Sequence, residues 1–134
     1  MSIQIGPHVL RIEGDIIYSK SGGNFTKEHF EQYFAVAERL IEAHGTFYGI
    51  ADISQLGNIG PEARRYAAHW AKSHTVGGAA ILGARFSTRT IVLMITKVME
   101  FFGGYKFPLA FVASEQEALT WLGSLRATNQ ASKR

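Results

Sequence analysis

The chain contains no cysteine, and only 3 prolines occur among its 134 residues. The absence of cysteine excludes disulfide bonds, thiolate metal ligands and a cysteine nucleophile. The first residues lack the basic start and the apolar run of a signal peptide. Together these absences predict a cytoplasmic protein that folds in a reducing compartment.

The chain also has little excess of positive over negative charge. The formal net charge of +3 includes Lys133 and Arg134 at the carboxyl terminus, so the rest of the chain carries only +1. Basic and aromatic residues are not interleaved in any one segment, as a surface that binds nucleic acid would require. We therefore expect no nucleic-acid partner.

The 5 histidines form no metal-binding pattern. His-Glu-x-x-His is absent, and His69 and His74 lie five positions apart, on different faces of any helix that would carry both. A Gly-x-Ser-x-Gly elbow is also absent, so a triad of Ser54, His69 and Asp52 has no motif behind it. We expect no metal, no cofactor and no catalysis. A hydrolase that uses Ser54 is kept as the third alternative.

The length fits one domain with its own core. Apolar residues predict strands over residues 9–12 and 16–19 around the turn Glu13-Gly14-Asp15, with an edge strand over 3–5. Apolar residues spaced by three and four predict a helix over 26–43. Later segments alternate between strand and helix patterns. They are a strand over 46–53, a helix over 61–72, a strand over 77–83, a helix over 87–102, a strand over 107–113 and a helix over 115–125.

This order predicts an α/β fold: a mixed sheet with an N-terminal hairpin and parallel crossovers, covered by helices. Ser114 is the predicted N-cap of the last helix, with Glu117 as its capping-box partner. We assign residues 1–126 to the domain and residues 127–134 to a flexible polar tail.

The predicted helix over residues 87–102 is apolar nearly all round, which requires burial on more than one side. It is too short, and too charged at its ends, to span a bilayer, so we expect no stable membrane insertion. Three interpretations stay open: a central core helix, a homodimer face, or one wall of a pocket for a small apolar ligand. The pocket would be lined by Tyr66, Trp70, Met94, Val98, Phe101 and Phe102.

A polar site is predicted where the strand over 46–53 ends. This strand delivers Asp52 and Ser54 to its carboxyl end, and a helix begins at Pro61 after a short loop. In open α/β sheets, ligands and partners commonly bind at the carboxyl ends of strands. The alternative is local, because Asp and Ser side chains often bond to nearby backbone and shape turns. Glu62 can likewise be explained by its favourable place in the first helical turn.

The organisation resembles the STAS and SpoIIAA-like domains, the fold of bacterial anti-sigma factor antagonists, over nearly the whole chain. Asp-x-Ser after a core strand is the sharpest point, and the following helix start is similar to that of a STAS/SEC14-like branch. A Trp in the last helix completes the resemblance. The matching residues are Asp52, Ser54, Gly57, Pro61, Glu62, Ala63, Arg64 and Trp121.

One departure from the family limits what the resemblance implies. Anti-sigma factor antagonists carry a phosphoacceptor Ser near the start of this helix, where the present chain reads Gly60-Pro61-Glu62-Ala63. Without a hydroxyl at that place, the usual phosphoswitch cannot operate there.

The resemblance therefore implies a non-catalytic regulatory or binding domain. We expect it to engage a protein partner through residues 52–65, with Asp52, Ser54, Glu62 and Arg65 at the contact. The alternative is a carrier or sensor of a small apolar ligand in the pocket described above.

Overall fold

Three antiparallel strands open the fold: β1 (Ser2–Ile5), β2 (His8–Glu13) and β3 (Ile16–Lys20). The structure, a computed structural model, describes residues 2–83 and 107–132. The β2–β3 turn needs Gly14, whose φ of 59° is one that side chains other than glycine rarely adopt. Both the predicted hairpin and the edge strand before it are present.

The rest of the described chain alternates between helices and strands. These elements are α1 (Lys27–His44), β4 (Phe47–Asp52), α2 (Pro61–Lys72), β5 (Val76–Leu82), β6 (Leu109–Phe111) and α3 (Glu115–Ser132). The six strands form one sheet in the order β1-β2-β3-β4-β5-β6, in which β3 to β6 pair in parallel. The predicted mixed sheet is confirmed.

Helix α1 is defined by its caps and by one apolar stripe. The Thr26 hydroxyl accepts the His29 N–H (3.2 Å), and the His29 ring accepts the Thr26 N–H (3.1 Å), which completes a capping box with histidine in the place of glutamate. Gly45 ends the helix with a φ of 85°. The stripe between these caps buries Phe34 and Leu40 against the sheet and α2.

The helices cover both faces of the sheet. Neighbouring strand residues such as Phe47 and Tyr48 point to opposite faces, so a strand that is buried on both sides reads as a continuous apolar run. Helices α1 and α2 cover the face with Ile17 and Phe47, and α3 covers the face with Tyr48 and Ala80. Two separate cores result.

Two predicted boundaries are wrong. The last helix runs to Ser132 rather than ending near Leu125, because no glycine or proline follows Leu125 to stop it. The strand predicted over 107–113 is shorter and spans only β6, which begins just after Pro108, a residue with no N–H to donate to a strand ladder. The flexibility of residues 127–134 stays a prediction. The predicted helix over 87–102, and any dimer contact through it, lies outside the described residues.

Candidate interaction surface

The turn that follows β4 is built around the Asp52 carboxylate. Asp52 Oδ1 accepts the Ser54 backbone N–H at 2.9 Å, and the Ile53 N–H donates to the Leu82 carbonyl at 3.0 Å. Hydrogen bonds from the Ser54 N–H and from its hydroxyl lower the pKa of Asp52. Asp52 therefore shapes the turn, and Ser54 is left exposed at its tip.

Gly83 allows the end of β5 to approach this turn closely. Its φ is 79°, and a Cβ at this position would lie 2.7 Å from both Asp52 Oδ1 and the Ser54 nitrogen. A side chain here would displace the turn as well as strain the backbone.

Two loops join at the carboxyl edge of the sheet, and we call residues 21–26 and 53–60 the two-loop clasp. The Gly57 N–H donates to the Gly23 carbonyl at 2.9 Å, and the Phe25 N–H donates to the Asn58 carbonyl at 3.0 Å. The Asn58 N–H donates to the Asn24 side-chain oxygen at 2.8 Å. Two of these three bonds join backbone to backbone and the third uses the Asn24 side chain, so they fix the shape of the surface and leave side chains such as Ser54 free to contact a partner.

The start of α2 continues this surface. Gly60 is the N-cap and provides no side-chain capping bond, while Pro61 occupies the first turn. Glu62 forms an exposed ion pair with Lys27 of α1, at 3.7 Å between Oε1 and Nζ. Pairs this exposed stabilise a fold by less than about 1 kcal/mol, so Glu62 is able to exchange partners. An open cleft of about 450 Å³ separates the first turns of α1 and α2.

The four predicted partner residues fall into two groups on this surface. Asp52 and Ser54 share the turn after β4, whereas Glu62 and Arg65 lie on the first two turns of α2. Within residues 2–83 and 107–132, no hydrogen bond or ion pair links one group to the other. Ser54, Glu62 and Arg65 are exposed and Asp52 is partly buried. The two groups are connected along the chain by residues 53–60 of the two-loop clasp.

The carboxyl end of α2 is occupied by an aromatic stack. The Trp70 ring lies between Phe34 (4.1 Å between centroids, 4° between planes) and His74 (4.0 Å, 6°), and only 6% of Trp70 is exposed. Its Nε1 donates to Glu38 Oε1 at 3.2 Å, and the same oxygen lies 3.0 Å from His74 Nε2. Trp70 is therefore packed within the α1–α2 interface.

The predicted ligand pocket is only partly described. Tyr66 lies near Lys27 and Phe34, with 6.0 Å from its ring centroid to the Lys27 ammonium. Neither of the two clefts described for this structure is lined by Tyr66 or Trp70. The other four predicted residues lie outside the described part of the chain. They are Met94, Val98, Phe101 and Phe102.

A second cleft, of about 430 Å³, lies on the sheet face that α3 covers in part. The Arg11 guanidinium stacks 4.1 Å from the Tyr18 ring centroid and bonds Glu115 of α3 at 2.6 Å. Burial, followed by the charge of Glu13, raises the pKa of Tyr18. This cleft was not predicted from the sequence. The alternation of side chains along β2 and β3 places Arg11 and Tyr18 on the same face of the sheet.

The described residues form neither a metal-binding cluster nor a membrane-spanning helix. No group of three histidine or acidic side chains in this part of the chain is placed to hold a metal ion. None of the helices in residues 2–83 and 107–132 is long and apolar enough to cross a bilayer. His69 is exposed on α2 and, within the described residues, forms no hydrogen bond with Ser54.

The arrangement of helices and strands is similar to that of known structures. One is an uncharacterized protein from the DUF3478 family with a SpoIIAA-like fold from Shewanella loihica PV-4. Its TM-score is 0.63 at 22% identity, over 91% of this chain and 98% of that chain. Another is the anti-sigma factor antagonist SpoIIAA in its unphosphorylated form. Its TM-score is 0.54 at 15% identity, over 84% of this chain and 94% of that chain.

No protein-family model and no curated protein matches the sequence. The two structural similarities establish that the chain has a SpoIIAA-like fold, so the fold expected from the sequence resemblance is confirmed.

Proposed function

We propose that this chain is a non-catalytic regulatory domain that binds a protein partner through the two-loop clasp and the first turns of α2. The observation that carries the proposal is a fixed backbone with exposed polar side chains. Backbone hydrogen bonds join the two loops, while Ser54, Glu62 and Arg65 remain exposed. Because the loops of such a surface are already ordered, binding loses little conformational entropy.

The chemistry of the surface favours a partner with acidic groups. Arg65, His69 and Lys72 follow one another at helical spacing along the outer face of α2, and all three are exposed. Within the described residues, neither Arg65 nor Lys72 takes part in an ion pair. Glu62 lies one helical turn before Arg65, so the surface is mixed in charge, which suits a protein partner better than nucleic acid.

The solved relatives support this class of function without naming a partner. SpoIIAA is described as an anti-sigma factor antagonist, and the DUF3478 protein is uncharacterized. Asp52 and Ser54 act within this proposal through the turn that they shape. The cytoplasmic location expected from the sequence stays a prediction.

Charge reversal at two positions tests the proposal. Arg65→Glu should reduce capture of the partner from a native lysate, because it places a negative charge opposite the partner's acidic groups. Glu62→Lys should also reduce capture, because Glu62 would meet a basic group of the partner and the new Lys would repel that group. Arg39→Glu and Glu42→Lys, on the exposed side of α1, are matched controls that should leave capture unchanged. If the reversals on α2 and the controls on α1 behave alike, this surface is not the binding site.

The apolar carrier and the Ser54 hydrolase remain alternatives. For the carrier, the described residues place Trp70 in a packed interface, and Trp70 lines neither of the two clefts described above. For the hydrolase, an esterase assay against a Ser54→Ala control would detect the activity. The homodimer contact through residues 87–102 stays a prediction as well.

A further inference from the structure

Two histidines hold the two ends of the 21–26 loop. His8 of β2 is 0% exposed, and its Nδ1 accepts the Gly22 N–H at 3.2 Å. Its Nε2 lies 2.9 Å from the Asn24 carbonyl oxygen, which can only accept. The ring therefore carries its proton on Nε2 and is neutral when both bonds are made.

His29 makes the corresponding contact at the other end of the loop. Its Nδ1 accepts the Thr26 N–H at 3.1 Å. The His8 and His29 rings meet edge to face, with 4.8 Å between centroids, and each ring also contacts Phe25. Both rings thus serve the same loop as hydrogen-bond acceptors.

Protonation of the two rings would break both the Gly22–His8 and the Thr26–His29 hydrogen bonds. An imidazolium has two N–H donors and no acceptor, so it cannot accept the Gly22 or the Thr26 N–H. Two protonated rings at this separation would also repel each other. Acid therefore removes bonds at both ends of the loop.

The surroundings of His8 offer no carboxylate to compensate the charge. Strand β1, the 21–26 loop and the 53–60 loop contain no titratable side chain. Lys20 of β3 pairs with Val9, so its side chain lies on the opposite face from His8, and α1 contributes His29. Burial lowers the pKa of His8, and the charge of His29 acts in the same sense, while the bond with the Asn24 carbonyl opposes them.

We propose that His8 and His29 form an acid-sensitive latch on the 21–26 loop. In the neutral state the latch holds this loop against β2 and α1, and the loop in turn holds residues 53–60 through the two-loop clasp. Acidification releases the loop and loosens the clasp. That the latch regulates partner binding rests on the proposed function, whereas the latch itself does not.

Amide hydrogen exchange of the free chain tests the latch without any partner. Exchange at Gly22, Phe25 and Asn58 is measured between about pH 7.5 and about pH 5, corrected for intrinsic rates and compared with Ile50 in β4. Protection of the loop amides should fall by about fivefold relative to Ile50, the factor that corresponds to one ordinary hydrogen bond. If the ring nitrogen shifts report protonated His8 at the lower pH and the relative protection is still unchanged, the proposal is overturned.

Two further measurements test whether His8 itself causes the pH dependence and which of its ring nitrogens carries the proton. His8→Gln keeps one acceptor and one donor but cannot titrate, so its loop protection should lose most of the pH dependence; the exposed His44→Gln is the control. Imidazole nitrogen shifts of the wild-type chain should place the neutral His8 proton on Nε2. A proton on Nδ1 would contradict the latch even if the variants did not fold. Loss of partner capture by Arg65→Glu is independent of all these results.

Discussion

The two ends of α2 differ in how far their side chains are exposed. At the amino end, Glu62 and Arg65 are exposed, and the helix begins from a loop that is fixed by backbone hydrogen bonds. At the carboxyl end, Trp70 is buried between Phe34 and His74. One helix thus carries a side-chain surface that is free to bind and an aromatic interface that holds the helix in place. This difference is why we assign binding to the first end and stability to the second.

The largest loss of stability is expected from a substitution in the aromatic stack at the carboxyl end of α2. Trp70→Ala should lower the free energy of unfolding by about 3–5 kcal/mol, because it leaves a cavity between Phe34 and His74. Urea denaturation measures this loss, with the exposed Lys72→Ala as the control on the same helical turn. A loss below about 1 kcal/mol would mean that Trp70 is not a packing residue, which would favour the ligand pocket.

A smaller effect is expected at the two-loop clasp. Asn24→Ala removes the acceptor of the Asn58 N–H and should cost about 1 kcal/mol in the free energy of unfolding. Asn24→Asp keeps an acceptor at the same place and should retain most of that stability. Urea denaturation of both variants gives the comparison. Equal losses would show that the side-chain oxygen does not hold the clasp.

The Asp52 turn gives a pH-dependent effect that is smaller still. Because the folded pKa of Asp52 lies below its ordinary value of 3.8, its contribution to stability is complete above pH 3.8. The contribution is lost as the pH falls through the lowered pKa. The difference in unfolding free energy between the wild type and Asp52→Asn should therefore shrink on acidification. A difference that grows at low pH would reverse the assigned role.

The smallest effect on stability is expected at the exposed end of α2. Arg65→Glu should change the free energy of unfolding by no more than about 0.5 kcal/mol, because the side chain is exposed and forms no ion pair with the described residues. Thermal denaturation checks this directly. A large loss would make any effect of this variant on partner capture a consequence of unfolding.

Local features of the chain were predictable because they depend on residues a few positions apart. Ser114 caps α3 as predicted, since its hydroxyl accepts the Glu117 N–H at 3.1 Å. The Glu117 carboxylate accepts the Ala113 N–H (2.9 Å), whereas the predicted capping box would have it accept the Ser114 N–H. The order of strands and helices followed from turn residues and apolar spacing in the same way.

Contacts between distant segments were not predictable from spacing. Periodicity places Trp70 on an apolar face of α2, but it cannot say that Phe34 of α1 and His74 cover both sides of the ring. Two of the three bonds of the two-loop clasp join backbone groups, Gly57 to Gly23 and Phe25 to Asn58, and such bonds leave no side-chain pattern in the sequence. The sequence therefore indicated where a surface would lie without indicating what fixes its shape.

Binding of a protein at the first turns of α2 is best tested by native mass spectrometry of three freshly purified forms: the wild type, Arg65→Glu and Arg39→Glu. The account predicts a bound protein mass on the wild type and on Arg39→Glu that is absent from Arg65→Glu. A mass excess of small-molecule size on all three forms, lost on denaturation, would contradict the account and would place the function in an apolar pocket instead.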